Sequence, residues 1–243
     1  MSTVNFTPRV KPQLIILYGP PGSGKGTQAN ILSKEFGYTF VDFGQSFRNF
    51  VKENLNKEIQ NSLDHGLSNV NPTLDQRALR VKQMLETGQA ILTEDFYFII
   101  ESKINEYIDS KTLFIIDKPG SLNDEAQWLS SLVINKSVSN IFINLVVPMS
   151  VSVDRISHRF YIPSSSEPFL SYQQAMENSK AGEIPYQRPE DENRDITLKR
   201  IDNLYGHSDE ILLIYKSKGI KVINIDATGS IEEVNLLIKK EII

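Results

Sequence analysis

Short apolar runs recur along the chain and are separated by longer stretches in which apolar residues follow helical spacing. Five of these runs are rich in β-branched and aromatic residues and predict strands: Leu14–Tyr18, Tyr38–Phe43, Leu113–Asp117, Ile141–Val147 and Val222–Ile225. Most of them are apolar at successive positions, as expected for strands that are buried on both faces. Strands that alternate with helical stretches are typical of parallel βαβ units. The pattern therefore predicts an α/β fold, with a doubly wound parallel sheet of five strands and helices on both faces.

Two segments interrupt this alternation. Residues 44–94 are largely helical and polar in pattern, whereas residues 160–187 include the sequence PSSSEP and show no clear period. We interpret both segments as lids or insertions rather than as separate cores. The core of a single domain would then comprise residues 13–43, 95–159 and 188–243. Residues 1–12, with two prolines and little periodicity, are predicted to be a flexible tail.

Composition narrows the class of protein. Hydrophobic residues make up 40% of the 243 residues and charged residues 23%, which is usual for globular proteins. No apolar run approaches the roughly 20 residues needed to cross a bilayer, and the first residues lack the apolar stretch of a secretory signal. Because the chain also has no cysteine, we expect a cytoplasmic protein without disulfides or a cysteine zinc site. The 26 basic and 30 acidic residues argue against a nucleic-acid-binding face, so any polyanionic ligand should be small.

The strongest chemical signal directly follows the first predicted strand. The residues there are Gly19-Pro20-Pro21-Gly22-Ser23-Gly24-Lys25-Gly26-Thr27-Gln28. They have the P-loop pattern of a glycine, four further residues and then Gly-Lys. A strand that leads through a glycine-rich turn into a helix lets backbone N–H groups converge on a phosphate chain, while the lysine reaches the outer phosphates. The candidate phosphate-binding residues are Gly22, Ser23, Gly24, Lys25, Gly26 and Thr27.

Two other kinds of turn share part of this pattern. An ordinary βα turn can carry the same glycines, but the apolar run before the motif and the helical run after it favour the P-loop. A dinucleotide-binding turn would use Gly22 and Gly24, with Asp42 about 20 residues further on. Its third glycine would fall at Thr27, and it relies on close backbone approach rather than on a lysine. The sequence therefore favours the P-loop over both alternatives.

The stretch GPPGSGKGTQA resembles the phosphate loop of adenylate kinases and their nucleoside monophosphate kinase relatives, which also have Gly-Thr after the lysine. The resemblance continues at intervals over nearly all of residues 13–243. It implies a P-loop core of five parallel strands, a monophosphate-binding insertion after the second strand and a mobile lid. It also implies Mg²⁺-dependent transfer of a phosphoryl group from ATP to a nucleoside monophosphate, with AMP the expected acceptor. Thr27 would then contribute to the magnesium site.

Two stretches in the first insertion resemble the acceptor site of this family. Phe43-Gly44-Gln45-Ser46-Phe47-Arg48 is similar to Thr-Gly-Asp-Met-Leu-Arg, whose arginine holds the monophosphate. A guanidinium fork suits that task because it binds phosphate oxygens in a bidentate way. Gly88-Gln89-Ala90-Ile91-Leu92-Thr93-Glu94-Asp95 resembles Gly-x-Leu-Val-Thr-Asp, with one extra residue. The resemblance implies that the monophosphate lies against Phe43, Gly44, Arg48, Leu92 and Thr93, with Phe43 standing where the family usually has threonine.

The end of the third predicted strand departs from the family. Asp117 matches the aspartate that binds magnesium through water, and the carboxyl ends of parallel strands are where such sheets bind ligands. The family continues Asp-Gly-Phe-Pro-Arg, whereas this chain reads Asp117-Lys118-Pro119-Gly120-Ser121. The position of the arginine is therefore taken by Gly120 or Ser121. Lys118 is our candidate for the missing positive charge. The glutamine that recognises adenine is also absent, and only Glu125 and Gln127 are near its position.

Further arginines match family positions in the second half of the chain. Asp154-Arg155-Ile156-Ser157-His158-Arg159 resembles a helix that ends Asp-Arg-Ile-x-x-Arg, and its two arginines, four residues apart, share a helix face. The resemblance implies that Arg155 and Arg159 contact ATP, and that Arg188 and Arg200 bind phosphates of both nucleotides. Asp226-Ala227-Thr228-Gly229-Ser230 resembles the loop beside the adenine of ATP, so Thr228 and Gly229 join the ATP-binding set. The implied catalytic residues are Lys25, Lys118, Arg159, Arg188 and Arg200.

Two functions remain open from the sequence. The first is an adenylate kinase-like monophosphate kinase that uses Mg²⁺ with ATP, has no structural zinc and acts as a monomer on small nucleotides, without nucleic acid or membrane. The second is a regulatory or interaction protein that binds nucleotide but has lost turnover. The missing arginine after Asp117 is the observation that supports the second.

Overall fold

The computed structural model describes residues 11–55, 72–118 and 122–243. The strands in these ranges are β1 Leu14–Tyr18, β2 Thr39–Val41, β3 Phe114–Asp117, β4 Asn140–Val146, β5 Phe160–Ile162, β6 Ser165–Phe169 and β7 Val222–Asp226. The helices are α1 Lys25–Phe36, α2 Phe43–Asn54, α3 Leu74–Thr87, α4 Thr93–Asp109, α5 Asn123–Asn135, α6 Met149–Ser157, α7 Tyr172–Asn178, α8 Pro189–Glu192, α9 Arg194–Ser217 and α10 Ile231–Ile242.

Five strands form one parallel sheet in the order β2-β3-β1-β4-β7. They are the five strands that the sequence predicts, so the predicted fold class is confirmed. The central strand β1 has the predicted bounds, and Leu14 pairs with Phe114 on one side and Asn140 on the other. The second strand ends at Val41, earlier than predicted, because Asp42 caps α2 by accepting a hydrogen bond from the backbone N–H of Gln45 at 2.8 Å.

Helices cover both faces of this sheet. Side chains at alternate positions of β1 enter two separate hydrophobic clusters, with Leu14 and Ile16 on one face and Ile15 and Leu17 on the other. Helices α4, α5 and α9 pack on the first cluster, and α1 and α10 pack on the second. All five residues of β1 are buried. The carboxyl ends of the sheet strands are therefore the edge at which polar side chains can face a ligand.

The two segments that interrupt the βαβ pattern have their own structure. In the first, the described residues form α2 and α3, and the buried Asp95 of α4 accepts hydrogen bonds from Arg77 at 2.6 Å and Arg80 at 2.9 Å. Residues 56–71 of the predicted insertion lie outside the described residues, as do residues 1–10 of the predicted tail. In the second, β5 and β6 pair as an antiparallel hairpin that α7 follows. An isolated bridge between Tyr161 and Tyr186 closes the base of this segment.

Candidate functional site

A cavity of about 1090 Å³ opens at the carboxyl edge of the sheet. The glycine-rich loop after β1 forms its floor, α2 and the end of α3 form one wall, and α6, α9 and the loop after β7 form the other. Pro168 and Leu170, from the end of the β5–β6 hairpin, also border it. Sites for small molecules usually measure about 300–1,000 Å³, so this cavity is at the upper end of that range.

The loop between β1 and α1 has the backbone that phosphate binding needs. Gly19, Gly22 and Gly24 have φ values of 140°, 81° and 94°, in the region that favours glycine. A Cβ atom at Gly22 would also lie 2.6 Å from the carbonyl oxygen of Ser152, so no side chain fits there. The Ser152 hydroxyl in turn donates to the carbonyl of Pro21. Helix α6 thus braces the loop from behind, and residues 21–28 of the loop and the start of α1 line the cavity.

Lys25 lies at the centre of this loop. Its Nζ donates to the carbonyl oxygens of Gly19 at 2.8 Å and Pro20 at 3.0 Å. Burial lowers the pKa of the Lys25 ammonium to about 8, the negative charge of Asp117 opposes this lowering, and nearby cations add to it. A buried ammonium among other cations is stabilised when an anion enters the site. Lys25 is therefore placed to bind a phosphate group.

Asp117 ends β3 beside the lysine. Its Oδ1 accepts a hydrogen bond from the backbone N–H of Phe43 at 3.1 Å, which joins the ends of β2 and β3. Burial raises the pKa of Asp117 to about 7, and the negative charge of Asp42 adds to this effect while Lys25 opposes it. The Thr27 hydroxyl borders the same cavity. Carboxylate and hydroxyl oxygens are hard donors of the kind that Mg²⁺ prefers, so this pair fits a magnesium ion that is mostly held by phosphate and water.

Two of the predicted arginines share one buried carboxylate. Arg159 donates to Asp191 from Nε at 3.1 Å and from Nη2 at 2.6 Å, and Arg200 donates from Nη1 at 3.0 Å. The Asp191 side chain is 0% exposed. Burial alone would raise the pKa of Asp191, but the two guanidinium groups outweigh burial and lower it. Asp191 therefore stays ionised and holds both arginines at the cavity wall.

Arg188 and Arg48 connect the first insertion to the region after the hairpin. The Arg188 guanidinium lies 3.8 Å from the centre of the Tyr161 ring and donates to Gln45 Oε1 at 3.4 Å. Arg48 forms an ion pair with Glu190 at 3.0 Å. Both arginines border the cavity. Their present partners are a ring face, an amide and one carboxylate, each of which a phosphate group could replace.

Arg155 acts on the loop that follows β7. Its guanidinium donates to the carbonyl oxygens of Ala227 at 2.9 Å, Thr228 at 3.3 Å and Gly229 at 3.4 Å. A further contact reaches the Gly22 carbonyl at 3.4 Å. Arg155 therefore ties this loop to the phosphate loop and fixes the wall between them.

Comparisons with known proteins agree with this geometry. A family model described as an AAA domain matches residues 18–118, from the end of β1 to the residue after β3. The adenylate kinase of Borrelia recurrentis (strain A1) is 30% identical over 227 residues, which cover 90% of this chain and 92% of that protein. The chain belongs to the adenylate kinase family. As a member of that family it is a P-loop nucleotide kinase, and thus a phosphotransferase.

Other adenylate kinases match over similar lengths. That of Borrelia duttonii (strain Ly) is 28% identical over 228 residues, covering 90% of this chain and 92% of its own. The adenylate kinase of Methanosarcina barkeri (strain Fusaro / DSM 804) is 26% identical over 229 residues, which cover 90% of this chain and 94% of that protein. The adenylate kinase likeness thus extends over about nine tenths of the chain.

The structure brings most of the predicted site residues of this adenylate kinase family member to one cavity. The bordering residues from that set are Phe43, Gly44, Arg48, Asp117, Lys118, Arg155, Arg159, Arg188, Arg200, Gly229 and residues 22–27 of the phosphate loop. Leu92, Thr93 and Thr228 are not among the residues that line it. Leu92 precedes α4 as its N-cap residue and is 39% exposed, while Ile91, one residue earlier, lines the cavity instead.

Sequence reasoning missed three residues of this site. Asp191, Glu190 and Tyr161 hold the arginines, but none of them was assigned a role. Glu190 and Asp191 lie two and three residues after Arg188 in the sequence, and acidic residues this close to a functional arginine were the available signal. Tyr161 carried no comparable signal, because its contact with Arg188 depends on the hairpin.

Within residues 11–55, 72–118 and 122–243, no helix combines the length and apolar character that a bilayer crossing requires. In the same ranges, no three or more His, Cys, Asp or Glu residues come together as a metal-binding group.

Proposed function

We propose that this protein is an adenylate kinase, which transfers the γ-phosphoryl group of ATP reversibly to AMP in the presence of Mg²⁺. The observation that carries the proposal is the convergence of the phosphate loop and four arginines, Arg48, Arg159, Arg188 and Arg200, on one cavity of about 1090 Å³. A reaction between two nucleotides needs such a joint site, whereas simple nucleotide hydrolysis does not.

The donor end would be formed by the phosphate loop, α6 and the loop after β7. The backbone amides around Gly22 and Gly24, together with the N-terminus of α1, suit the β-phosphate and γ-phosphate of ATP. Gly229 and the chain around it line the neighbouring wall, where Arg155 fixes the backbone. This wall would receive the adenine ring of ATP.

The acceptor end would lie between α2 and the end of α3. Arg48 offers its guanidinium to a monophosphate, which would replace Glu190 as its partner. Phe43 packs edge-on against Phe96, with ring centres 5.5 Å apart, and Ile91 borders the same side of the cavity. These groups form an apolar surface that suits a nucleobase.

Thr27 and Asp117 would hold the magnesium ion, with Asp117 acting through water. When bound, the ion would reduce the negative charge of the ATP phosphates between which the bond breaks. Both residues line the cavity, and their hydroxyl and carboxylate oxygens are ligands of the kind that Mg²⁺ prefers.

Catalysis would consist of positioning and charge neutralisation. The bond between the γ-phosphorus and the bridging oxygen of ATP breaks, a bond to a phosphate oxygen of AMP forms, and the electron pair of the broken bond stays on ADP. No side chain becomes covalently attached. Lys25, Arg159 and Arg200 would compensate the charge on the transferred group, because their cationic heads lie around the same space. The β5–β6 hairpin would exclude water when it closes over the donor.

An acceptor panel tests this proposal. Purified protein with Mg·ATP is given AMP, UMP, CMP or GMP, and ADP and nucleoside diphosphate formation are followed by chromatography. We expect AMP to be the best acceptor and omission of Mg²⁺ to stop the reaction. A faster reaction with another monophosphate would reassign the acceptor. Tight ATP binding without any transfer would instead favour the nucleotide-binding regulatory protein.

A further inference from the structure

Lys118 has an unusual backbone conformation. Its φ value is 68°, in the left-handed region that residues with a Cβ atom rarely adopt. Its backbone N–H donates to the Leu17 carbonyl at 2.8 Å, so the conformation is fixed at the point where β3 leaves the sheet. Residues held in this region occur at functional sites where the side chain is needed. A glycine would adopt this backbone conformation with less strain, so the turn after β3 holds a lysine at a conformational cost.

The side chain of Lys118 faces other cations. Lys118 borders the main cavity, and its charge acts on Lys25, while the charge of Arg200 acts on Lys118. Asp117 and Glu125 are the acidic residues whose charges act on Lys118. Even so, within the described part of the chain Lys118 forms no ion pair within 4.0 Å. Lys25, Lys118 and Arg200 therefore surround one part of the cavity, where a bound anion would reduce the repulsion between the three positive charges.

The positions of Lys25, Arg200 and Lys118 also indicate which part of a bound ligand would lie between them. Lys25 belongs to the phosphate loop at the donor end, and Arg200 is held by Asp191 at the opposite wall. Asp117, next to Lys118, accepts a hydrogen bond from the backbone N–H of Phe43 at the start of the acceptor wall. Lys118 therefore lies where the two ends of the cavity meet.

We propose that Lys118 is a catalytic cation, which binds the phosphoryl group while it passes from the donor to the acceptor. The assignment rests on the proposed kinase function and deepens it. Lys118 neutralises charge on the non-bridging oxygens of that group and takes no proton from it. The Lys118 ammonium is supplied by the residue that directly follows strand β3.

The chain offers a matched control for the test. Lys111 is an exposed lysine that also has a positive φ value, 55°, in the turn before β3, and it lies outside the cavity lining. Replacement of Lys118 or Lys111 by glycine should relieve the same kind of backbone strain, so neither variant should melt at a lower temperature than the wild type. Only Lys118→Gly removes a charge from the cavity.

We expect Lys118→Gly to lower kcat about 100-fold or more, as loss of one preorganised charge-stabilising donor does. The Kd for ATP, measured by calorimetry, should rise about tenfold through loss of one charge-assisted contact to the phosphoryl group, so the fall in kcat should be the larger effect. Lys118→Arg, which keeps the charge, should restore a substantial part of kcat, whereas Lys111→Gly should match the wild type. Unchanged kcat in Lys118→Gly, or equal losses in both glycine variants, would overturn the assignment.

Failure of the proposed function would be recognisable separately. If the wild type transfers no phosphoryl group to any monophosphate, the kinase proposal fails, and inorganic tripolyphosphate becomes the probe. In that case Lys118→Gly should still weaken tripolyphosphate binding at least about tenfold relative to Lys111→Gly, which is the loss of one charge-assisted contact. Equal affinities of the two variants would overturn the anion-binding role of Lys118 as well.

Discussion

Replacement of Asp191 by asparagine removes the one negative charge that Arg159 and Arg200 share. Four hydrogen bonds, at 2.6, 2.7, 3.0 and 3.1 Å, end on this carboxylate, and its side chain is 0% exposed. Asparagine has nearly the same shape, but its amide would face a guanidinium group with a donor. Both arginines would then repel each other without a counter-charge.

The magnitude follows from burial. Loss of one partner from a buried ion pair typically costs about 3–5 kcal/mol. The arginine side chains are 18% and 23% exposed, so water relieves part of the repulsion. We therefore expect Asp191→Asn to lower the free energy of unfolding by about 2–4 kcal/mol at pH 7, which corresponds to a fall in Tm of about 5–15 °C for a chain of this size.

The stability difference between the wild type and Asp191→Asn should depend on pH in a definite direction. The arginines hold the folded pKa of Asp191 below its unfolded value, so the ionised carboxylate stabilises the fold above roughly pH 4. This stabilisation is lost as the pH falls through the folded pKa. The difference between wild type and Asp191→Asn should therefore shrink in acid.

Urea unfolding between pH 7.5 and pH 2 measures the effect, with Glu192→Gln as the control, since Glu192 is exposed on the same short helix. A loss below about 0.5 kcal/mol at pH 7, the size of an ordinary surface substitution, would refute the reasoning. So would a loss that stays constant down to pH 2.

Two further predictions concern the cavity. Burial raises the pKa of Asp117 to about 7 and lowers the pKa of Lys25 to about 8. Because both groups act in their charged forms, the plot of kcat/KM for ATP against pH should be bell-shaped, with limbs near these two values. A flat profile from pH 6 to pH 9 would contradict their roles. Residues 160–187 should close over the ligands, so their hydrogen exchange should slow when a two-headed adenosine polyphosphate inhibitor is bound; equal protection with and without it would show a rigid segment.

The core of the fold could be predicted because its signals are local. The five sheet strands are short runs of apolar residues, and burial on both faces gives them an unbroken pattern, as in β1. The end of β2 was harder to place, since Phe43 continues the apolar run although Asp42 already caps the next helix. The β5–β6 hairpin was not predicted, because the SSEPF sequence of β6 is polar and contains a proline.

Some residues of the candidate site could likewise be predicted from the sequence, and others could not. Lys25 and its loop follow from a contiguous motif, and the arginines follow from a resemblance to a family. The contact between Arg159 and Asp191 joins residues 32 positions apart and depends on how the end of α6 packs against α8, so no local sequence pattern predicts it. The φ value of Lys118 is likewise a property of the folded turn and cannot be read from the residue type.

Formation of ADP from Mg·ATP and AMP by the wild type and by Lys25→Met tests the central claim most directly. The Lys25 ammonium contacts only carbonyl oxygens of its own loop among its hydrogen bonds in the described structure, so methionine should leave the melting temperature close to that of the wild type. Lys34→Met, an exposed substitution in the same helix, is the control. We predict ADP formation by the wild type and by Lys34→Met, and none above background by Lys25→Met. ADP formation at the wild-type rate by folded Lys25→Met would contradict the account.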